Sequence, residues 1–282
     1  MFLVYADDQE EVHKTLPTTK MMMELEQILN IEHENAHPIQ DLPSFVQGVQ
    51  VLMPLINGLP NITFFIKNPK AEYVLANQNL LVRSGLQSSS ELLGKTAAEV
   101  FSSDIGMGFT AQDMQVMKGS PLYHHLELHL YQSALLGWCM ATKIPLKNHH
   151  GEVLGMVGMA VDLQDDRFNR PNINSKLSKV EQCISQKFDT PIKISELAQI
   201  AGLSISQLNR QFKNNLHLTP LQLIQKKRLD YAIELLTQGL TVTEVSVRCG
   251  YTDHSAFGRK FKELTSVSPR QFKQQLFKLK HP

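Results

Sequence analysis

Apolar residues along this chain follow two different periods, and the change between them divides it. Over residues 123–131, Leu126, Leu128 and Leu130 alternate with Glu127, His129 and Tyr131. That is the period of a strand with one face buried and the other open. Residues 138–146 and 153–163 read as two further strands, joined by the polar turn Asn148-His149-His150-Gly151. Residues 62–66 and 73–76 flank Asn68-Pro69-Lys70, which predicts a hairpin. Between these strand groups, helical pieces are expected at 78–84, at 90–101 with Gly94 inside, and at 111–118. From residue 177 the spacing turns helical, with Leu177, Val180, Ile184 and Phe188 on one stripe.

Two segments lie outside this scheme. Residues 21–31 form a helix-forming stretch and 38–43 a break. A second helix over 45–53 carries Phe45, Val46, Val49, Leu52 and Met53, and Pro54 ends it. Residues 1–51 read as a helical extension, and its second helix as a cover for the next domain or as a dimer contact. Residues 165–176 are almost without apolar side chains and read as a linker.

The last hundred residues contain one segment twice. Leu208-x-Arg210-x-Phe212-Lys213, followed by Thr219-Pro220, recurs as Phe257-x-Arg259-x-Phe261-Lys262, followed by Ser268-Pro269. Each copy follows a short apolar helix pattern and a glycine, Gly202 or Gly250. A helix, a glycine turn and a second helix bearing basic and amide side chains is the sequence form of a helix-turn-helix. Ser204 with Gln207, and Thr241 with Glu244, are spaced as capping boxes, while Pro220 suits the first position of a joining helix capped by Thr219. With Leu208 and Phe212 inward, Ser206, Asn209, Arg210 and Lys213 face out. With Phe257 and Phe261 inward, the outward set is His254, Ser255, Gly258, Arg259 and Lys262. Arginine bonds guanine bidentately and asparagine bonds adenine so in the major groove, and lysines further along the helix suit phosphate.

Charge sharpens the division. The net charge of +1 hides 17 Lys/Arg against 8 Asp/Glu from Ser175 onward, and 11 against 19 before it. A basic half behind an acidic one places a nucleic-acid contact in the C-terminal part. Cys139, Cys183 and Cys249 are scattered without a C-x-x-C pair, which fits a reducing compartment and argues against a disulfide framework or a cysteine-based zinc site. Met1 to Tyr5 is apolar but runs at once into Asp7, Asp8, Glu10 and Glu11, and no long apolar run follows anywhere. A soluble, cytoplasmic protein without a membrane partner is expected.

Residues 180–275 closely resemble the DNA-binding domain of the AraC/XylS family of bacterial transcription regulators. The resemblance rests on Glu196-Leu197-Ala198, Gly202-Leu203-Ser204, Arg210-Gln211-Phe212-Lys213, Arg228-Leu229, Ala232, Leu235-Leu236, Gly250-Tyr251, Phe261-Lys262, Pro269 and Phe272. It implies two recognition helices in successive major grooves, with Ser206, Asn209, Arg210, His254, Ser255 and Arg259 reading bases, Lys213 and Lys262 meeting phosphate, and RNA polymerase as a further partner. The family's usual glycine after each reading helix is His217 and Ser266 here, and Lys193 stands where a Ser or Thr cap is usual.

The front half resembles a PAS domain. Ile66-Lys67-Asn68, Val74-Leu75-Ala76-Asn77, Leu93-Gly94-Lys95-Thr96 and Gly151-Glu152-Val153-Leu154-Gly155 occur in the PAS order. The expected architecture is therefore α+β. A helical extension (1–51) and a PAS-like domain with a five-stranded antiparallel sheet (52–164) precede a linker (165–176). An all-α domain of two helix-turn-helix units joined by a long helix follows (177–282). The resemblance implies a pocket between sheet and helices, with Phe64, Leu75, Phe101, Met114, Met117, Trp138, Met140 and Met156 as lining candidates.

No cofactor is assigned. The cysteine of flavin-binding PAS relatives is missing between residues 61 and 122, and residues 111–118 lack the histidine of haem-binding relatives. His125, Glu127 and His129 share one strand face, which permits metal ligation but is equally explained by an exposed or dimer-facing strand. The expected function is a homodimeric, sequence-specific transcription regulator, not an enzyme, binding double-stranded DNA and controlled by a small-molecule effector. One alternative is a regulator whose PAS domain serves only dimerisation or protein contacts. Another is an alkylation-repair fusion, disfavoured because Cys139 has no neighbouring His or Arg in sequence.

Overall fold

A computed structural model describes residues 39–101, 103–130, 136–163 and 175–280. The expected helix at 21–31 and most of the expected linker fall outside these residues. Asp41 accepts a hydrogen bond from the Ser44 amide at 2.8 Å and caps helix α1 (Leu42–Gln50), with Pro43 in its first turn. Pro43 thus opens a helix, where sequence reading expected a break. Pro54 likewise sits in the first turn of a short α2 (Met53–Asn57) and does not simply end the preceding helix. In both places the missing proline N–H is one that a first turn leaves unbonded.

Five strands form one antiparallel sheet in the order β2-β1-β5-β4-β3: β1 (Ile62–Lys67), β2 (Tyr73–Ala76), β3 (Leu122–Leu130), β4 (Leu136–Lys147) and β5 (Val153–Asp162). Helix α3 (Gln78–Ser84) is capped by Asn77 and stopped by Gly85 at φ 69°. The single helix expected at 90–101 is instead a 3-10 turn (Ser89–Glu91) and a separate α4 (Ala97–Val100) that starts afresh on a Thr96/Glu99 capping box. Gly94, at φ 78°, takes the left-handed conformation that breaks the run between them.

Helix α5 (Ser103–Met117) begins well before the expected residue 111. Gly106 and Gly108 weaken the sequence signal for helix there, but tertiary packing requires them. A Cβ on Gly106 would lie 2.3 Å from the Ala97 carbonyl oxygen, and one on Gly108 2.3 Å from that of Ser266.

Seven helices follow: α6 (Ser175–Lys187), α7 (Ile194–Ala201), α8 (Ile205–Leu216), α9 (Pro220–Thr237), α10 (Val242–Arg248), α11 (His254–Thr265) and α12 (Pro269–Lys280). The Ser204/Gln207, Thr219/Gln222 and Thr241/Glu244 capping boxes are formed, and Lys193 caps α7 without a side-chain bond. Phe257, Phe261 and Phe272 are buried in successive edge-to-face contacts at 5.6 and 5.4 Å. Arg228 on α9 donates to the carbonyls of Phe188 (2.6 Å) and Thr190 (2.9 Å), fastening the end of α6 to the joining helix. Gly250, at φ 73°, lets the second turn pass against Asp189, whose carbonyl oxygen would stand 2.2 Å from a Cβ.

The sheet domain is docked on these helices. Trp138 Nε1 donates to Asp230 Oδ1 on α9 at 2.7 Å, and Gln222 Nε2 donates to the His124 carbonyl at 3.0 Å. His125 Nε2 lies 3.2 Å from the Glu263 carbonyl oxygen on α11, while Gln271 and Gln275 on α12 donate to Asp104 at 3.4 and 3.3 Å. Among the described residues no helix is long and apolar enough to cross a membrane.

Candidate functional site

Two places carry chemistry: the outer faces of α8 and α11, and a cavity against the sheet. On α8, burial of Leu208, Phe212 and Leu216 turns Ser206 and Arg210 to solvent, with Asn209 and Lys213 half-buried. On α11, burial of Phe257, Phe261 and Leu264 leaves His254, Ser255, Arg259 and Lys262 exposed. The helices are equivalent in length, cap and inward stripe, so Arg210 and Arg259 occupy matching positions. Gly258 faces open space, with nothing within 4 Å of an added Cβ. Asp253 caps α11 by accepting from the Ala256 amide at 2.7 Å, and that bond holds its carboxyl below the usual range. Both helices end left-handed at non-glycine residues, His217 at φ 60° and Ser266 at φ 65°.

The contacts to the sheet domain fall on Glu263 and Ser266, at the C-terminal end of α11, whereas the base-reading candidates occupy its N-terminal half. Lys213 is different. Burial, and then the Lys213 charge, hold the His124 imidazole below its usual range, so this phosphate candidate stands close to the sheet domain.

The cavity, of about 50 Å³, has room for several waters or a small molecule. Its wall mixes rings (Phe65, Tyr73, Phe101, Phe109) with charged groups (Arg83, Asp113, Glu127, Lys143). Of the eight pocket candidates read from sequence, Phe101 is on this wall. Phe64, Leu75, Met114, Met117, Trp138, Met140 and Met156 are not. Strand register is the physical reason for several of these. Thr63 and Phe65 of β1, Ala141 and Lys143 of β4, and Glu127 and His129 of β3 share one sheet face, and Phe64, Trp138 and Met140 lie on the other. Met114 is 37 % exposed.

Charges inside this face lie against opposite charges. Asp113 on α5 accepts from Lys67 at 2.5 Å and from Lys143 at 2.7 Å, all three buried. Burial pulls Lys67 below the usual lysine range against the pull of Asp113, and its ammonium lies 3.9 Å from the centroid of Tyr73. Arg83 pairs with Asp162 and also donates to the Asn61 carbonyl at 3.1 Å. Glu127 Oε1 accepts from Gln112 at 2.7 Å, and its Oε2 is 2.9 Å from His129 Nε2. Burial pushes the Glu127 carboxyl up, but the His129 bond, Lys143 and Gln112 outweigh it and hold it at about 2.

Two expectations are corrected here. The alternation in β3 does not separate a buried face from an open one, because Glu127 is 2 % exposed and as buried as Leu126 and Leu128. It is sheltered by α5, whose extent the sequence understated. Nor is Cys139 without a histidine neighbour: its Sγ is 3.4 Å from His129 Nε2 across the β3–β4 pair. Even so, burial pushes the thiol up, the reverse of what a methyl-accepting nucleophile needs. Lys67, Lys143 and Asp113 were missed altogether. The available signal was a charge at a strand position flanked by apolar residues, as in Phe64-Phe65-Ile66-Lys67 and Ala141-Thr142-Lys143-Ile144.

The architecture defines a PAS fold followed by an AraC-type helix-turn-helix domain. Residues 56–167 match the family described as a PAS fold, and residues 197–275 the family described as a helix-turn-helix domain. In the C-terminal region the chain is similar to the probable transcriptional regulator LumQ of Photobacterium leiognathi, 31 % identical over 94 residues, which are 33 % of this chain and 38 % of that protein. It is similar also to the HTH-type transcriptional regulator AlkR of Acinetobacter baylyi, 30 % identical over 104 residues, covering 36 % of this chain and 34 % of that one. A solved structure, the C-terminal domain of the response regulator AraT from Geobacillus stearothermophilus, is 26 % identical over 37 % of this chain and 88 % of its own, with a TM-score of 0.35. The chain spans little more than a third of the length of these two curated relatives.

Proposed function

We propose that this chain is a sequence-specific DNA-binding transcription regulator whose PAS domain (52–164) receives a signal that controls its C-terminal domain (177–282). The carrying observation is the pair of equivalent helices, α8 and α11, each presenting an exposed arginine two residues before a buried phenylalanine. Ser206, Asn209, Arg210, His254, Ser255 and Arg259 read bases, and Lys213 and Lys262 meet phosphate. The signal is a small molecule or another input to the PAS domain, and the charged cavity is the candidate place for a small polar ligand. A homodimer through the N-terminal half belongs to the same reading, supported by Val51 and Leu55, which are 78 % and 71 % exposed beside α1 and α2. So does contact with RNA polymerase.

Genome-wide occupancy of the wild type and of an Arg210→Ala/Arg259→Ala double variant tests the proposal. Sharp sites that vanish in the variant are expected. Occupancy that is sharp in both would overturn the assignment of the reading residues, and diffuse occupancy in both, with or without extract from the host cells, would overturn the regulator reading.

A further inference from the structure

We propose that Glu127, His129 and Cys139 form a binding site for a borderline-soft divalent metal ion such as zinc, with a fourth coordination position directed at the cavity. One ligand atom from each residue lies within 4.8 Å of the other two. Zinc bonds of about 2.0 Å to nitrogen or oxygen and about 2.3 Å to sulfur, set tetrahedrally, place nitrogen and oxygen about 3.3 Å apart and nitrogen and sulfur about 3.6 Å apart. The observed separations are 2.9 Å for His129 Nε2 to Glu127 Oε2 and 3.4 Å for His129 Nε2 to Cys139 Sγ. Binding therefore asks for shifts of tenths of an ångström, not for rearrangement.

The scaffold is suited to hold these atoms. Glu127 and Cys139 are directly paired across β3 and β4, and His129 is two residues further along the same face. Gln112 holds the other oxygen of Glu127, which orients the carboxylate towards His129. Glu127 and His129 both line the cavity, so water or a small ligand can complete the shell. As the site fills, the Cys139 thiol proton leaves to solvent, and the Nε2 proton through which His129 meets Glu127 moves to Nδ1 or leaves likewise, so that nitrogen and sulfur both offer lone pairs to the metal. A divalent ion with one carboxylate and one thiolate is then neutral, which places no further cation beside Lys143.

The site would also be felt by the DNA-binding half. Trp138, the only tryptophan, is the chain neighbour of Cys139 and donates across the domain boundary to Asp230.

The full chain, freed of metal by chelator, is titrated with cobalt(II), whose spectrum reports its ligands. Visible bands of tetrahedral strength and a near-ultraviolet thiolate-to-cobalt band are expected, saturating at one ion per chain, bleached by zinc and accompanied by a change in Trp138 emission. Cys139→Ser removes the thiolate band and Cys183→Ser keeps it. Glu127→Gln, close to the native shape, and Gln112→Ala each weaken binding about tenfold or more while retaining the band. Absence of a thiolate band in the wild type, its survival in Cys139→Ser, or unchanged affinity in Glu127→Gln would overturn the site. No DNA enters the measurement, so its outcome is separate from that of the regulator reading.

Discussion

At the scale of single residues the two arginines and Lys213 are expected to behave differently. With both arginines reading bases as proposed, Arg210→Ala and Arg259→Ala should each cost about 1–3 kcal/mol at one place in the site and relax preference there. Lys213→Ala weakens all sequences alike and lowers the salt slope by about one unit. Binding isotherms on a set of single-base site variants at several salt concentrations separate the two. Equal losses on specific and random DNA for the arginine variants count against base reading. Glu127 makes a prediction of the opposite kind, about stability. Its carboxyl is held at about 2 against 4.5 for the exposed group. A depressed carboxyl contributes stability above about pH 4.5 that is lost as pH falls through about 2. Urea midpoints should show the wild type's advantage over Glu127→Gln full at neutral pH and shrinking across that window; a constant difference refutes the role of the buried carboxylate. The matching exposed positions of the two arginines were legible because the repeat compares the chain with itself. The buried charges were not, since alternation at Leu126-Glu127-Leu128 looks the same whether the second face meets water or a helix.

At the scale of elements, capping chemistry made the C-terminal helices legible: Ser204, Thr219 and Thr241 all cap where local spacing placed them. The PAS helices resisted because glycine has two meanings. Gly94 ends a run by turning left-handed, while Gly106 and Gly108 stay helical and are small for the sake of neighbours. The missing C-terminal glycine of α11 gives a direct test. Ser266 holds φ 65° with a Cβ, a conformation that costs a non-glycine residue about 1 kcal/mol. Ser266→Gly should therefore raise stability by roughly that amount, less the flexibility it adds to the unfolded chain. Thermal unfolding would reveal it as a midpoint higher by a few degrees; a lower midpoint would mean that the serine side chain supports the packing against Gly108.

At the scale of the molecule, the arrangement of the halves follows from contacts that no local pattern announces. The sheet domain touches α9 through Trp138 and His124, α11 through His125, and α12 through Asp104. It therefore bears on the joining helix and on the second reading unit together, which gives the proposed signal a short mechanical path to both. The tightest point is Gly108, where a Cβ would stand 2.6 Å from the Cβ of Ser266. Gly108→Val should improve the local helix propensity of α5 yet force the two halves apart, at a cost of about 1–3 kcal/mol for overpacking. Trp138 stands at the boundary, so its emission should shift at lower urea than the loss of helical circular dichroism, whereas the two signals coincide in the wild type. Met107→Val, at a neighbouring position 54 % exposed, serves as the control for a changed side chain without the clash. Coincident transitions in Gly108→Val, with a midpoint equal to that of the control, would mean that the halves are not held by this contact, and that any signal must reach the reading helices by another route.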